Sequence, residues 1–155
     1  MSDQRTPRNT VGRPRRRVDG RAKVTGQTRF ADDVALPRTV HCKLLRSKVP
    51  HAIIKSIDTS RAEQHPGVRL VLTGKDFPIT FGILPVSQDE DPLCRDRVRF
   101  VGDPVAAVIA KDEATATDAL DLIEVDYEIL PTRATPLEAY ENPAPRIHEY
   151  GEEGN

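Results

Sequence analysis

At 155 residues, the chain is sized for one domain, and folding at that length buries roughly 70% of the surface the unfolded chain exposes. Apolar residues make up 37%, aromatics 5%, and Trp is absent, so the core must be modest and aliphatic, drawn from Val, Ile, Leu and Ala. The net charge of −1 divides into +6 over residues 1–23 and −7 over the remainder, and the longest apolar run, Val105 to Ala110, falls far short of the ~20 residues of a membrane span.

Residues 1–16 are polar, basic and aperiodic, a composition that predicts a disordered arm. No aromatic residue sits among its arginines, so it offers no base-stacking platform for nucleic acid. It reads as a solvated tail or as a segment that packs on an acidic partner. Arg15-Arg16 is followed by Arg17-Val18-Asp19 rather than by the apolar stretch of an export signal. With only Cys42 and Cys94, free thiols in a cytoplasmic chain are expected.

Organised structure is expected from Val18 onward. Lys23 to Gly26 and Phe30 to Asp33 read as a short loop, strand and loop. Val40–Arg46 and Ala52–Asp58 are strand candidates, interrupted by Pro50-His51. Asp58-Thr59-Ser60 offers N-cap side chains to a short helix, Ser60 to Gln64, that ends at His65-Pro66-Gly67. Val68–Thr73 is a third strand, Gly74–Pro78 a turn, and residues 79–96 a long connection. Arg99-Phe100-Val101 reads as the end of a strand, Gly102-Asp103-Pro104 as a tight hairpin turn, and Val105–Ala110 as a strand buried on both faces. Gly102 is expected to need a positive φ or a close backbone approach. Asp112 caps the clearest helix, about Glu113–Ile123, with Ala116, Ala119, Leu120 and Ile123 on one stripe. Val125–Leu130 alternates apolar and polar residues, a strand with one wet face. Pro131 stops it, and Pro136 starts a last short helix. Residues 143–155 read as an acidic tail or linker. The fold class is α+β, with a mixed sheet of short strands and one clear amphipathic helix.

Candidate chemistry is sparse. His41, His51, His65 and His148 share no metal-ligand spacing, and His51 follows Pro50 at a strand junction, where it would cap backbone groups. Asp89-Glu90-Asp91 is broken by Pro92 and reads as a solvated loop tip. Asp32-Asp33 and Asp126/Glu128 pair carboxylates only in sequence. Cys94 has no neighbouring His, although Arg95 and Arg97 could lower its pKa. The glycines form neither GxGxxG nor a P-loop. No catalytic, cofactor-binding or metal-binding residue is assigned.

Several ordered segments nonetheless carry a resemblance. Arg17-Val18-Asp19-Gly20-Arg21-Ala22-Lys23-Val24-Thr25-Gly26, Phe30-Ala31-Asp32-Asp33, Leu45-Arg46-Ser47-Lys48-Val49-Pro50-His51-Ala52, Thr73-Gly74-Lys75-Asp76-Phe77-Pro78, Val98 to Ala106 and Val125 to Pro131 together resemble the start of the large subunit of molybdenum hydroxylases, the xanthine dehydrogenase and aldehyde oxidase family. The resemblance spans about residues 17–155 and implies an α/β-hammerhead domain over 17–142. Within the family, Phe81-Gly82-Ile83-Leu84-Pro85 and the Asp91–Arg99 segment look most like the α subunit of 4-hydroxybenzoyl-CoA reductase, an aromatic acyl-CoA reductase. Molybdopterin-bound molybdenum, a [2Fe-2S] cluster and FAD are implied for the complete enzyme and none of them for this chain, since two isolated cysteines cannot supply the four ligands of a cluster. The implied partners are a downstream molybdenum-binding domain or chain and iron–sulfur and flavin subunits, with no nucleic acid or membrane. Alone the chain is expected to be inactive. The alternative is a free-standing scaffold or binding module derived from such a domain; a part that packs on other domains should leave a large apolar patch uncovered.

Overall fold

A computed structural model describes residues 12–83 and 88–148. The expected arm lies mostly in residues 1–11, and the end of the expected tail in 149–155; both stretches fall outside the described residues, as do Leu84 to Ser87. The chain divides into two compact units, residues 1–39 and 40–155.

In the first unit, helix α1 spans Gly20–Val24 and a 3-10 turn spans Ala31–Asp33. The strand expected near Val24 is therefore replaced by helix. Asp19 stands at the N-cap and pairs with Arg17 at 2.6 Å and with Lys23, one turn on, at 3.0 Å. A carboxylate at a helix N-terminus joined to a Lys at i+4 favours helix locally, and among the described residues no strand pairs here to reward an extended chain. The two cations, Arg17 foremost, hold the Asp19 carboxyl below its usual range.

The second unit is built on two three-stranded antiparallel sheets. In chain order come β1 (His41–Arg46), β2 (Ala52–Asp58), α2 (Ser60–Glu63), β3 (Val68–Thr73), a 3-10 turn (Gly74–Asp76), β4 (Arg97–Val98), β5 (Pro104–Ala110), α3 (Glu113–Leu120), β6 (Glu124–Ile129) and α4 (Pro136–Glu141). One sheet has the order β1-β5-β3, the other β4-β2-β6. The α+β class thus stands, and the mixed sheet resolves into two antiparallel ones.

Strand β5 is the hub. Val105, Ala106, Ala107, Val108 and Ala110 are buried, as an apolar run without alternation requires. Ala106, Val108 and Ala110 pack with Ala62 of α2, Ala116 and Ala119 of α3, and Ile123. Val105 joins Ala52, Cys94 and Val98 in a second cluster. The alanines let α3 approach the sheet closely, so the core is dense despite having few large side chains. Asp112 caps α3 by accepting from the Thr115 N–H at 2.7 Å.

The expected hairpin around Gly102 does not form. β4 ends at Val98 and pairs with β2, whereas β5 pairs with β1 and β3. The turn carries the chain from one sheet to the other. It is held by Gly102 N–H to the Ser47 carbonyl at 2.8 Å and Ser47 N–H to the Asp103 carbonyl at 2.9 Å. Because β5 must be covered on both faces, it belongs at the centre of its own sheet rather than beside β4.

Candidate functional site

Three chain junctions converge where the sheets meet: residues 46–51 after β1, 99–104 before β5, and 130–133 after β6. Gly102 has φ +99°, a conformation open mainly to glycine. The Arg46 guanidinium donates to its carbonyl at 2.8 Å. The buried Asp103 side chain accepts from the Arg99 N–H at 2.8 Å, so the turn is pinned from both sides.

His51, only 1% exposed, caps this junction as its position suggested. Its carbonyl accepts from the Leu130 N–H at 2.9 Å, and its Nδ1 lies 3.2 Å from the Pro131 carbonyl. A carbonyl can only accept, so Nδ1 carries the hydrogen. Nε2 is buried with no hydrogen-bond partner among the described residues.

Two cavities flank the turn and share Arg99 and Phe100. The first, about 250 Å³, is lined by Asp89, Glu90, Asp91 and Asp103, by the basic Arg99 and His148, and by Cys94. Asp89-Glu90-Asp91 is therefore a cavity wall and not a solvated tip: Asp91 pairs with Arg95 at 2.7 Å, Asp89 with His148 at 3.4 Å, and Glu90 bridges Phe81 through the backbone. The second, about 220 Å³, is lined by His51, Arg99, Phe100, Val101, Arg133 and Ile147 among others, and among the described residues by no carboxylate. Its outer wall is chain segment 142–147. Arg99 donates to the Ile147 carbonyl at 3.1 Å, and Arg133 to those of Asn142 and Ala144 at 3.2 and 2.9 Å.

Cys94 is buried. Burial pushes its thiol pKa up strongly, Asp103 adds to this, and the opposing pull of Arg99 is weaker. Arg95, one of the two cations that could lower its pKa, is engaged with Asp91. Cys42 is exposed on β1. His41, His65, the pair Asp32-Asp33 and the pair Asp126/Glu128 are not brought to either cavity. Among the described residues, no group of three or more His, Cys, Asp or Glu could hold a metal ion. The donor set does not fit an iron–sulfur cluster, which takes four ligands, and the acidic cavity would repel a phosphate-bearing cofactor. Phe100 and Val101 are 56% and 63% exposed, and Phe81 is 47% exposed. Sequence reasoning missed Arg99, Arg133 and Phe100 because only the fold joins residues so far apart in the chain. No helix among the described residues is long and apolar enough to cross a membrane.

Comparison with known proteins supplies the frame. The family model for the a/b hammerhead domain of aldehyde oxidase and xanthine dehydrogenase matches residues 25–131. The chain is 45% identical, over 91% of its length and 19% of the relative's, to a probable xanthine dehydrogenase subunit of Bacillus subtilis. It is 40% identical to the carbon monoxide dehydrogenase large chain of Afipia carboxidovorans, over 90% of this chain and 18% of that one. The aldehyde oxidoreductase of Desulfovibrio desulfuricans superposes with a TM-score of 0.77 at 36% identity, covering 86% of this chain and 16% of the other. The chain thus spans less than a fifth of the length of these relatives. With nearly half its residues shared with such a relative and its central strands and helices inside the matched region, the chain belongs to the aldehyde oxidase and xanthine dehydrogenase family of molybdenum hydroxylases and carries its a/b hammerhead domain.

Proposed function

We propose that this chain is the hammerhead part of a molybdenum hydroxylase-type large subunit, acting as a rigid docking element in the cytoplasm for the parts that carry molybdopterin-bound molybdenum, [2Fe-2S] and FAD. The carrying observation is the pairing of a family match over residues 25–131 with exposed Phe81, Phe100 and Val101 at the cavity mouths. The relatives' own names support it, since they denote subunits and large chains of dehydrogenases. The chain's residues would orient and cover; bond-making at the substrate would belong to the cofactor-bearing parts.

A narrower reading, reduction of an aromatic acyl-CoA, is supported by the likeness of Phe81-Gly82-Ile83 and Asp91–Arg99 to 4-hydroxybenzoyl-CoA reductase. Oxidation of a purine is the competing chemistry, supported by the Bacillus relative's name.

Anaerobic co-expression with the neighbouring enzyme parts tests the main reading. The chain should co-purify with them in a molybdenum-containing complex. Purification as a free monomer, with the remaining parts assembling normally without it, would contradict it. Assays of that complex with 4-hydroxybenzoyl-CoA and with xanthine decide between the two chemistries.

A further inference from the structure

The β1-β5-β3 sheet has two faces of different standing. Leu45, Val71, Ala106, Val108 and Ala110 pack into the cluster that also holds Ala62 of α2 and Ala116 and Ala119 of α3. Directly opposed residues share a face of a sheet, and neighbours along a strand point to opposite faces. The register therefore places Leu44, Ala107 and Leu72 in one row of the other face, and Cys42, Ile109 and Leu70 in the next. An antiparallel sheet that shows a face to water normally carries polar side chains there. These two rows carry no charged, hydroxyl or amide side chain, and none of their residues belongs to either buried cluster. Leu44 and Leu70 are 37% and 50% exposed, and Cys42 is exposed beside them.

We propose that this face docks against an uncharged aliphatic surface on the remaining part of the large subunit. The inference rests on the docking role proposed above and assigns a face to it. The composition of the rows selects an apolar cover, since a polar group laid on them would lose its water and gain no hydrogen bond. The size of the patch selects how that cover is held. Separate proteins that associate stably use about 20–30 residues a side, far more than these two rows supply to hold a second copy of this chain. A covalently joined part needs less area, because the link itself raises its effective concentration. In the relatives the matched region takes up less than a fifth of the whole protein, so a joined part is at hand to supply the cover.

Two measurements on the chain co-expressed with the remaining enzyme parts test this face. Iodoacetamide should alkylate Cys42 about tenfold more slowly in the complex than in the isolated chain, as read by peptide mass spectrometry. Leu70→Asp, at a half-exposed position, should leave the urea midpoint of the isolated chain unchanged and lower recovery of the complex by about tenfold. If that variant loses stability, Cys42 protection in the unmodified complex decides alone. If the chain co-purifies and Cys42 reacts as fast as in the isolated chain, this face is not the contact, and the docking role stands. If the chain does not co-purify, the docking role fails and the assigned face with it. Full recovery of the complex with a stably folded Leu70→Asp chain overturns apolar docking here. An isolated chain that sediments as a dimer with Cys42 protected, and as a monomer in Leu70→Asp, makes a second copy the occupant and overturns the proposal. Cys42 unreactive in a monomeric isolated chain shows a cover from within the chain and overturns it equally.

Discussion

Gly74 and Gly102 fail on substitution for different reasons. A Cβ on Gly74 would lie 2.5 Å from the Cys94 carbonyl oxygen, a backbone atom that cannot swing away. Gly74→Ala should therefore lower stability by about 1–3 kcal/mol through overpacking. A Cβ on Gly102 meets nothing within 4 Å, but φ is +99°, so Gly102→Ala should cost about 1–2 kcal/mol through the backbone alone. Urea midpoints measure both, and an unchanged midpoint in either variant refutes its mechanism. The cysteines separate by burial in the same way. Cys94 is buried with a raised thiol pKa, whereas Cys42 is exposed. Since the thiolate is the reactive form, a thiol reagent at about pH 8 should label Cys42 in the native protein and reach Cys94 only in urea. Rapid native labelling of Cys94 would show that its cluster opens.

Among the elements, α3 depends on its cap. The Asp112 carboxyl is held below its usual range chiefly by the Thr115 N–H. A carboxyl whose folded pKa lies below its unfolded value contributes stability in full above the unfolded value, here 3.8, and loses it as pH falls through the folded pKa. Asp112→Asn caps without titrating, so its stability profile should flatten below about pH 4 relative to the parent. Identical acid limbs for the two proteins would remove Asp112 from the account. Elements with strong local signals were legible in the sequence. β5 announced itself by an unbroken apolar run, α3 by its Asp cap and alanine stripe, and β6 by alternation ended at Pro131. The hairpin was misread because Arg99-Phe100-Val101 has strand-like composition, while β5 pairs with β1 and β3, far away in sequence, and Ser47 holds the turn between the sheets. α1 was misread because its Asp19–Lys23 pair is a weak local signal set against Val24 and Thr25, which favour strands.

For the whole molecule, the sequence located the family but not the interaction face. The ordered segments from Arg17 to Pro131 carried the likeness, and no single one of them contained the cavity walls. Phe100, Arg99 and Arg133 acquire meaning only when β4, β6 and segment 142–147 are brought together. The fold supplies a small aliphatic core around β5 and leaves Phe81, Phe100 and Val101 exposed beside the cavities. The central claim is that this chain organises an enzyme without holding its redox centres. Metal analysis and visible absorption of the isolated chain, purified from a molybdenum-replete host, test it most directly. The account predicts no stoichiometric molybdenum or iron and no flavin spectrum; one molybdenum or one iron–sulfur cluster per chain would contradict it.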